Sequence, residues 1–208
     1  MLNKVAILID GDFFLKRFQE INKNNPKVAD VDVFIKDLLS NVQKLTGTIS
    51  TDVLFRIFYY TCRPFGEKRK DPNGKEIDFG TTPPFIAATA FLKDLSTFPQ
   101  MALRLGELSF NPWKIALDKN NMPIKDVNGK FKYKPDFKQK SVDMKIGLDI
   151  AWLASKKIVD KIVLVAGDSD FISPMKFARR EGLLVYLCTM QQKNIKIELK
   201  EHADFIIE

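Results

Sequence analysis

Two short stretches, far apart in the chain, make the same abrupt transition. "VAILIDGDFF" runs through unbroken aliphatic residues from Val5 to Ile9 and then places Asp10 and Asp12. "VLVAGDSDF" runs from Val163 to Ala166 and then places Asp168 and Asp170. A short apolar run bounded by polar residues marks a strand buried on both faces, and such strands belong to sheets covered by helices on both sides. In open parallel sheets, functional groups collect beyond the carboxyl ends of the strands. If these two strands are neighbours, their four carboxylates share one crevice.

The rest of the chain alternates in the manner such a sheet requires. Val31, Phe34, Ile35, Leu38, Leu39, Val42 and Leu45 fall at helical spacing, predicting an amphipathic helix. Asp52–Cys62, "DVLFRIFYYTC", is β-branched and aromatic and reads as a second buried strand. "PPFIAATAFLKDLSTF" reads as a helix opened by its two prolines. "MALRLGELSF" is strand-like. Ser141–Lys157 returns to helix, and Lys161–Ala166 is a buried strand. Ser173-Pro174 reads as a cap and first turn for a helix through Arg180, stopped by Gly182. "LLVYLCT" is a further strand, and "ADFIIE" holds a short last one. The predicted fold class is α/β, a three-layer α/β/α sandwich with a mostly parallel central sheet. The chain, 1–208, reads as a single domain with insertions at about 64–82 and 113–140. The second insertion is a polar hairpin turning at Asn128-Gly129.

Composition narrows the chemistry. The chain has a single histidine, His202, and two cysteines, Cys62 and Cys188, both inside apolar runs. That excludes a Cys/His zinc site and makes a histidine-based triad a poor reading. It also suits a reducing compartment, so the expectation is a cytoplasmic protein. The N-terminal apolar run is too short for a signal peptide or membrane span. With 33 Lys and Arg against 26 Asp and Glu, the net charge is +7. Such an excess favours a polyanionic partner, although solubility alone accounts for it equally well.

Clustered carboxylates raise one another's pKa unless a cation neutralises them. With oxygen donors and no imidazole or thiolate, the fitting ions are magnesium or manganese. The plainer reading is that Asp10, Asp12, Asp168 and Asp170 are turn and cap residues, a common use of aspartate. In "KSVDMKIGLD", Ser141 is the expected N-cap, which puts Asp143 in the first turn, where the helix dipole also favours an anion. Asp149 lies about 120° round that helix from Asp143. One helix cannot aim both at one ion, so Asp143 is the ligand candidate.

In this order, "ILIDGDFF", "KSVDMKIGLDIAWLA", "VLVAGDSDFISPMKFARREGLLVYL" and "ADFII" resemble the NYN domain family, the PIN-like nuclease group that includes LabA-type proteins. The resemblance implies a PIN-like fold, a carboxylate cluster holding Mg2+ or Mn2+, and hydrolysis of RNA phosphodiesters. It carries the acidic positions onto Asp10, Asp143, Asp168 and Asp170, with Asp12, Asp149 and Ser169 as outer positions. Relatives often have asparagine at the position of Asp12 and glycine at that of Ser141. PIN-like domains often pair, so the resemblance also implies a homodimer.

Lysines 125, 130, 132, 134, 138 and 140 interleave with Phe131, Tyr133 and Phe137. Bases stacking on aromatics while cations track the phosphates is how single-stranded nucleic acid is held; a solvated hairpin with its aromatics packed inward explains the same letters. Arg63, Lys130, Lys132, Lys134, Lys138 and Lys140 are therefore the candidate RNA contacts. Two other functions remain open. "IDGDF" also suits a haloacid-dehalogenase-like phosphatase with Asp10 as nucleophile and Asp12 as acid, although the spacing of Asp168 and Asp170 fits that class less well. A noncatalytic RNA-binding module on the same fold is the third reading.

Overall fold

The computed structural model describes residues 3–46 and 52–208. In chain order the elements are β1 (Asn3–Asp10), α1 (Gly11–Asn22), α2 (Val28–Thr46), β2 (Asp52–Cys62), β3 (Lys68–Lys70), β4 (Glu76–Asp78), α3 (Pro83–Ser96) and β5 (Met101–Ile115), then β6 (Tyr133–Lys140), α4 (Val142–Ser155), β7 (Lys161–Val165), α5 (Ile172–Arg180), β8 (Leu184–Cys188), α6 (Ile197–Glu201) and β9 (Phe205–Ile207). Seven strands form one sheet in the order β6-β5-β2-β1-β7-β8-β9, and β3 and β4 form a separate ribbon. Every pairing in the large sheet is parallel except β5 with β6.

The continuous apolar runs are explained by what covers the sheet. Val5, Ile7 and Ile9 of β1 point to the layer of α1, α2 and α3, with Phe14, Val31, Ile35 and Leu95. Ala6 and Leu8 point the other way, to Ile146, Ile150 and Leu153 of α4 and Met175 of α5. β7 alternates likewise, Val163 and Val165 on one face and Ile162 and Leu164 on the other. Period-two alternation is present, but both faces are buried, so both residue sets are apolar. At the amino ends of the strands, Lys161 of β7, 3% exposed, reaches across β1 to Asp52 of β2, with Nζ 2.8 Å from Oδ2.

The segment 113–140 differs from its expected role. Its second half is β6, an edge strand of the central sheet, paired from Glu107↔Lys140 to Ile115↔Tyr133. Tyr133, Pro135, Phe137 and Gln139 alternate with Lys134, Asp136, Lys138 and Lys140, a one-side-buried strand whose charged residues make it read as a solvated ribbon. Only the intervening loop is an elaboration, and its turn does fall at Asp126–Gly129, where Gly129 has φ +76°. The β3–β4 ribbon is held to β5 and β6 by an aromatic cluster of Phe65, Phe79, Phe110, Trp113 and Phe137. Two caps also differ. A 3-10 turn over Ser169–Phe171 leads straight into α5, so Ser173-Pro174 lies inside the helix rather than opening it. Ser141 occupies the cap position of α4 but makes no side-chain cap bond.

β1 passes into α1 without a linker, and Gly11 makes this feasible. A Cβ on Gly11 would stand 2.5 Å from the Tyr60 carbonyl oxygen and 2.8 Å from a Tyr59 ring carbon. The obstacle is backbone, which cannot rotate aside. Gly11→Ala is therefore expected to lower stability by about 1–3 kcal/mol, the usual cost of overpacking, read as a lower denaturant midpoint at unchanged slope.

Candidate active site

Asp10 is the last residue of β1 and the N-cap of α1. Its Oδ1 accepts the backbone N–H groups of Asp12 at 3.1 Å and Phe13 at 3.3 Å. Asp168 does the same on the neighbouring strand: its Oδ1 accepts the Asp170 N–H at 3.0 Å and caps the 3-10 turn. Capping and site chemistry are thus compatible, because each cap uses one carboxylate oxygen and leaves the other outside it. β1 and β7 are adjacent and parallel, with Ile9 opposite Val165. Both loops therefore emerge at the same sheet edge.

The acids also act on one another electrostatically. The Asp10 carboxyl is pushed up to about 6, chiefly by burial, with the Asp12 and Asp143 charges adding to the rise and its two backbone hydrogen bonds opposing it. Burial also raises Asp143, with the charges of Asp168, Asp170 and Asp12 acting in the same direction. Asp12 is raised by burial and held back by a hydrogen bond from Gln139 of β6. Five aspartates from three separate segments thus share one field. A carboxylate cluster of this kind costs free energy until a cation or a proton neutralises it.

The donor set suits a hard divalent cation, being all oxygen. Among the described residues, however, no three His, Cys, Asp or Glu side chains are grouped to hold an ion, so the acids do not form a ready closed shell. Magnesium does not require one, since it keeps several waters and takes only one or two carboxylates along with substrate phosphate. Asp143 links the two loops, since the charges of Asp12 on one and of Asp168 and Asp170 on the other both act on it.

Other expected positions are distributed differently. Asp149 is drawn away: its Oδ2 accepts from Tyr60 Oη and Arg104 Nε, each at 2.9 Å. That ion pair ties α4 to β2 and β5 and leaves Asp149 a positioning role. Ser169 Oγ stands 3.1 Å from Lys196 Nζ, a cation beside Asp168 and Asp170 that the sequence reading passed over. Lys145, also passed over, donates from Nζ to the Leu105 carbonyl at 2.6 Å and pins the first turn of α4, with Asp143, to β5. Arg63 is exposed directly after β2. Lys138 and Lys140 lie at the end of β6 that leads into α4. Lys130 and Lys132 lie past its other end, roughly 25 Å away at about 3.3 Å per strand residue. Lys134 is paired across from Lys114. The six candidate contacts thus form two groups rather than one rim. Phe137 is packed in the aromatic cluster, and Phe131 lies under Lys125, 5.1 Å from its Nζ.

The two loops also interlock physically. A Cβ on Gly167 would lie 2.5 Å from Phe13 Cε2, so the glycine of "GDSD" exists to admit the phenylalanine of "IDGDFF". The sequence matches the family profile of the NYN domain over residues 4–208. This chain belongs to the NYN domain family. The NYN family falls in the PIN-like nuclease group, whose nuclease members typically use divalent metals. No match was found among curated proteins. Among solved structures, the chain is similar to a protein of unknown function from Vibrio parahaemolyticus RIMD 2210633, at 16% identity, TM-score 0.48, covering 99% of this chain and 92% of that one. No helix among the described residues is long and apolar enough to cross a membrane.

Ser141, at the turn from β6 into α4, has φ 68°, in the left-handed region, where a side chain costs about 1 kcal/mol and glycine is at ease. Ser141→Gly is expected to stabilise the protein by roughly 0.5–1 kcal/mol, measured by urea unfolding. Asp10 yields a pH signature. Its folded pKa lies above the unfolded value, so its contribution is fully present below about pH 4 and lost as pH rises through about 6. In EDTA, Asp10→Asn should match the native chain near pH 4 and exceed its stability by roughly 1–3 kcal/mol at pH 7.5. Equal stabilities at both pH values would show that Asp10 feels no such field.

Proposed function

We propose that this NYN domain is a metal-dependent ribonuclease that hydrolyses RNA phosphodiester bonds at the sheet edge between β1 and β7. The observation that carries the reading is the shared field of the acids at one sheet edge: the charges of Asp12 and Asp143 raise Asp10, and those of Asp168, Asp170 and Asp12 raise Asp143. Family membership supports a nuclease over the phosphatase reading. Mg2+ or Mn2+, when bound, supplies charge neutralisation and activates water for in-line displacement at phosphorus.

The chain's own residues would divide the remaining work. Asp10 at the end of β1 and Asp170 in the turn after β7 would hold the cation, and Asp168 fixes the turn that presents Asp170. Asp143, with its carboxyl raised, is the better proton acceptor for the attacking water. Lys196, anchored on Ser169, stands beside the acids and offsets the charge of an incoming phosphate. Lys138 and Lys140 give a single strand of RNA a basic track along β6 toward the site.

The test uses labelled single-stranded RNA and p-nitrophenyl phosphate, each with manganese or with EDTA. RNA cleavage should require manganese and fall by on the order of 10²–10³ in Asp10→Asn and in Asp170→Asn. Cleavage that survives EDTA and both substitutions would sink the proposal. Hydrolysis of the small ester alone would restore the phosphatase reading, and retention of RNA without turnover would favour the binding module.

A further inference from the structure

Beside the acidic edge the surface opens into a groove of about 760 Å³, within the range of small-ligand sites. One wall is α3, with Phe85 and Phe91; the other is β6, with Phe137 and Gln139; Tyr59 of β2 also lines it. Its mouth is Asp12, one of the five clustered acids. The groove is therefore continuous with the hydrolytic site, separated from Asp10 by a single residue of chain. Its lining is aromatic and aliphatic with a few polar groups, the composition of a pocket that orients a ring with a polar edge.

One polar group in it is unexplained by the fold, and a second presents a spare acceptor. Tyr59 is fully buried, and its hydroxyl has no hydrogen-bond partner among the described residues. A buried hydroxyl left unpaired costs about 1–3 kcal/mol, so its retention calls for a partner. Burial and the neighbouring charges of Asp12 and Asp10 keep the phenol protonated, so it is available to donate. Gln139 is oriented by Asp12: a carboxylate only accepts, so the amide nitrogen faces Asp12 and the amide oxygen is left to accept. A donor and an acceptor thus flank aromatic faces next to a phosphodiester site.

We infer that this groove is a nucleobase site, holding the base of a nucleotide adjoining the scissile phosphate. The inference rests on the nuclease reading for its position and on Tyr59, Gln139 and the aromatic walls for its chemistry. A base supplies a π-face for Phe85 and a hydrogen-bonding edge for Tyr59 Oη and Gln139 Oε1; an aliphatic ligand would leave both polar groups unpaired. The negative charge of Asp12 at the mouth excludes free acids and leaves the neutral ring as the part of RNA that enters. Base stacking then draws the chain away from its neighbouring bases, so the site would act on single strands in preference to duplexes.

The four ribonucleoside 5′-monophosphates and ribose 5-phosphate, compared by equilibrium dialysis in magnesium, test this directly. At least one nucleotide should bind about tenfold tighter than ribose 5-phosphate. Phe85→Ala and Gln139→Leu should each remove most of that preference. Tyr59→Phe should weaken nucleotide binding while raising the melting temperature of the ligand-free protein, because it deletes the unpaired hydroxyl. Equal binding of all five compounds, or a preference that survives the three substitutions in folded protein, would overturn the base site. Cleavage of RNA and of abasic RNA at equal rates would do so too, while leaving the hydrolase intact. Base preference without RNA cleavage would keep the pocket and remove the nuclease.

Discussion

Everything chemical in this molecule depends on one backbone pairing, the parallel alignment of β1 with β7. Ile9 lies opposite Val165, so Asp10 and the Gly167–Asp170 turn leave the sheet side by side. A slip of one residue would exchange the two buried faces of β1 and turn Ala6 and Leu8 toward the wrong helices. Lys161 and Asp52 oppose such a slip from the other end: their buried ion pair spans β1 and joins its two neighbours. The pair sits far from the acids, but it fixes the register on which their meeting relies.

The acids themselves work against stability. Asp10 is half-buried beside other negative groups, and its carboxyl is pushed well above its usual range. The surrounding structure holds this repulsion in place with two backbone hydrogen bonds, the Gly11 approach to Tyr60 and the packing of Phe13 over Gly167. Local strain of that kind is kept where it contributes to function. Asp149 shows the contrast. With Arg104 and Tyr60 as partners it is a satisfied structural ion pair, although it lies on the same helix as Asp143.

The fold was legible in the letters because buried parallel strands announce themselves as uninterrupted apolar runs, as Val5–Ile9 and Ile162–Ala166 do. The acid doublets were legible for the same reason, since a charge after such a run has nowhere to be but the sheet edge. β6 was misread because lysine on alternate residues looks like a solvated ribbon when only one face is buried. Ser141 does stand at the N-cap as its sequence context implies, but only backbone angles show that the position is left-handed and that the hydroxyl makes no cap bond. Lys196 and the unpaired hydroxyl of Tyr59 leave no local mark at all. Their roles arise from contacts between segments distant in the chain, which spacing and periodicity do not encode.

The interlock of Phe13 with Gly167 has a consequence for the order of assembly. The two loops that meet there are separated by most of the polypeptide, so a ribosome releases the first long before the second. Until the later segment appears, β1 carries one unpaired edge and Phe13 has no seat. Such long-range closure slows folding. It also means that a partly synthesised chain holds only part of the acidic centre, which is complete only with the finished sheet.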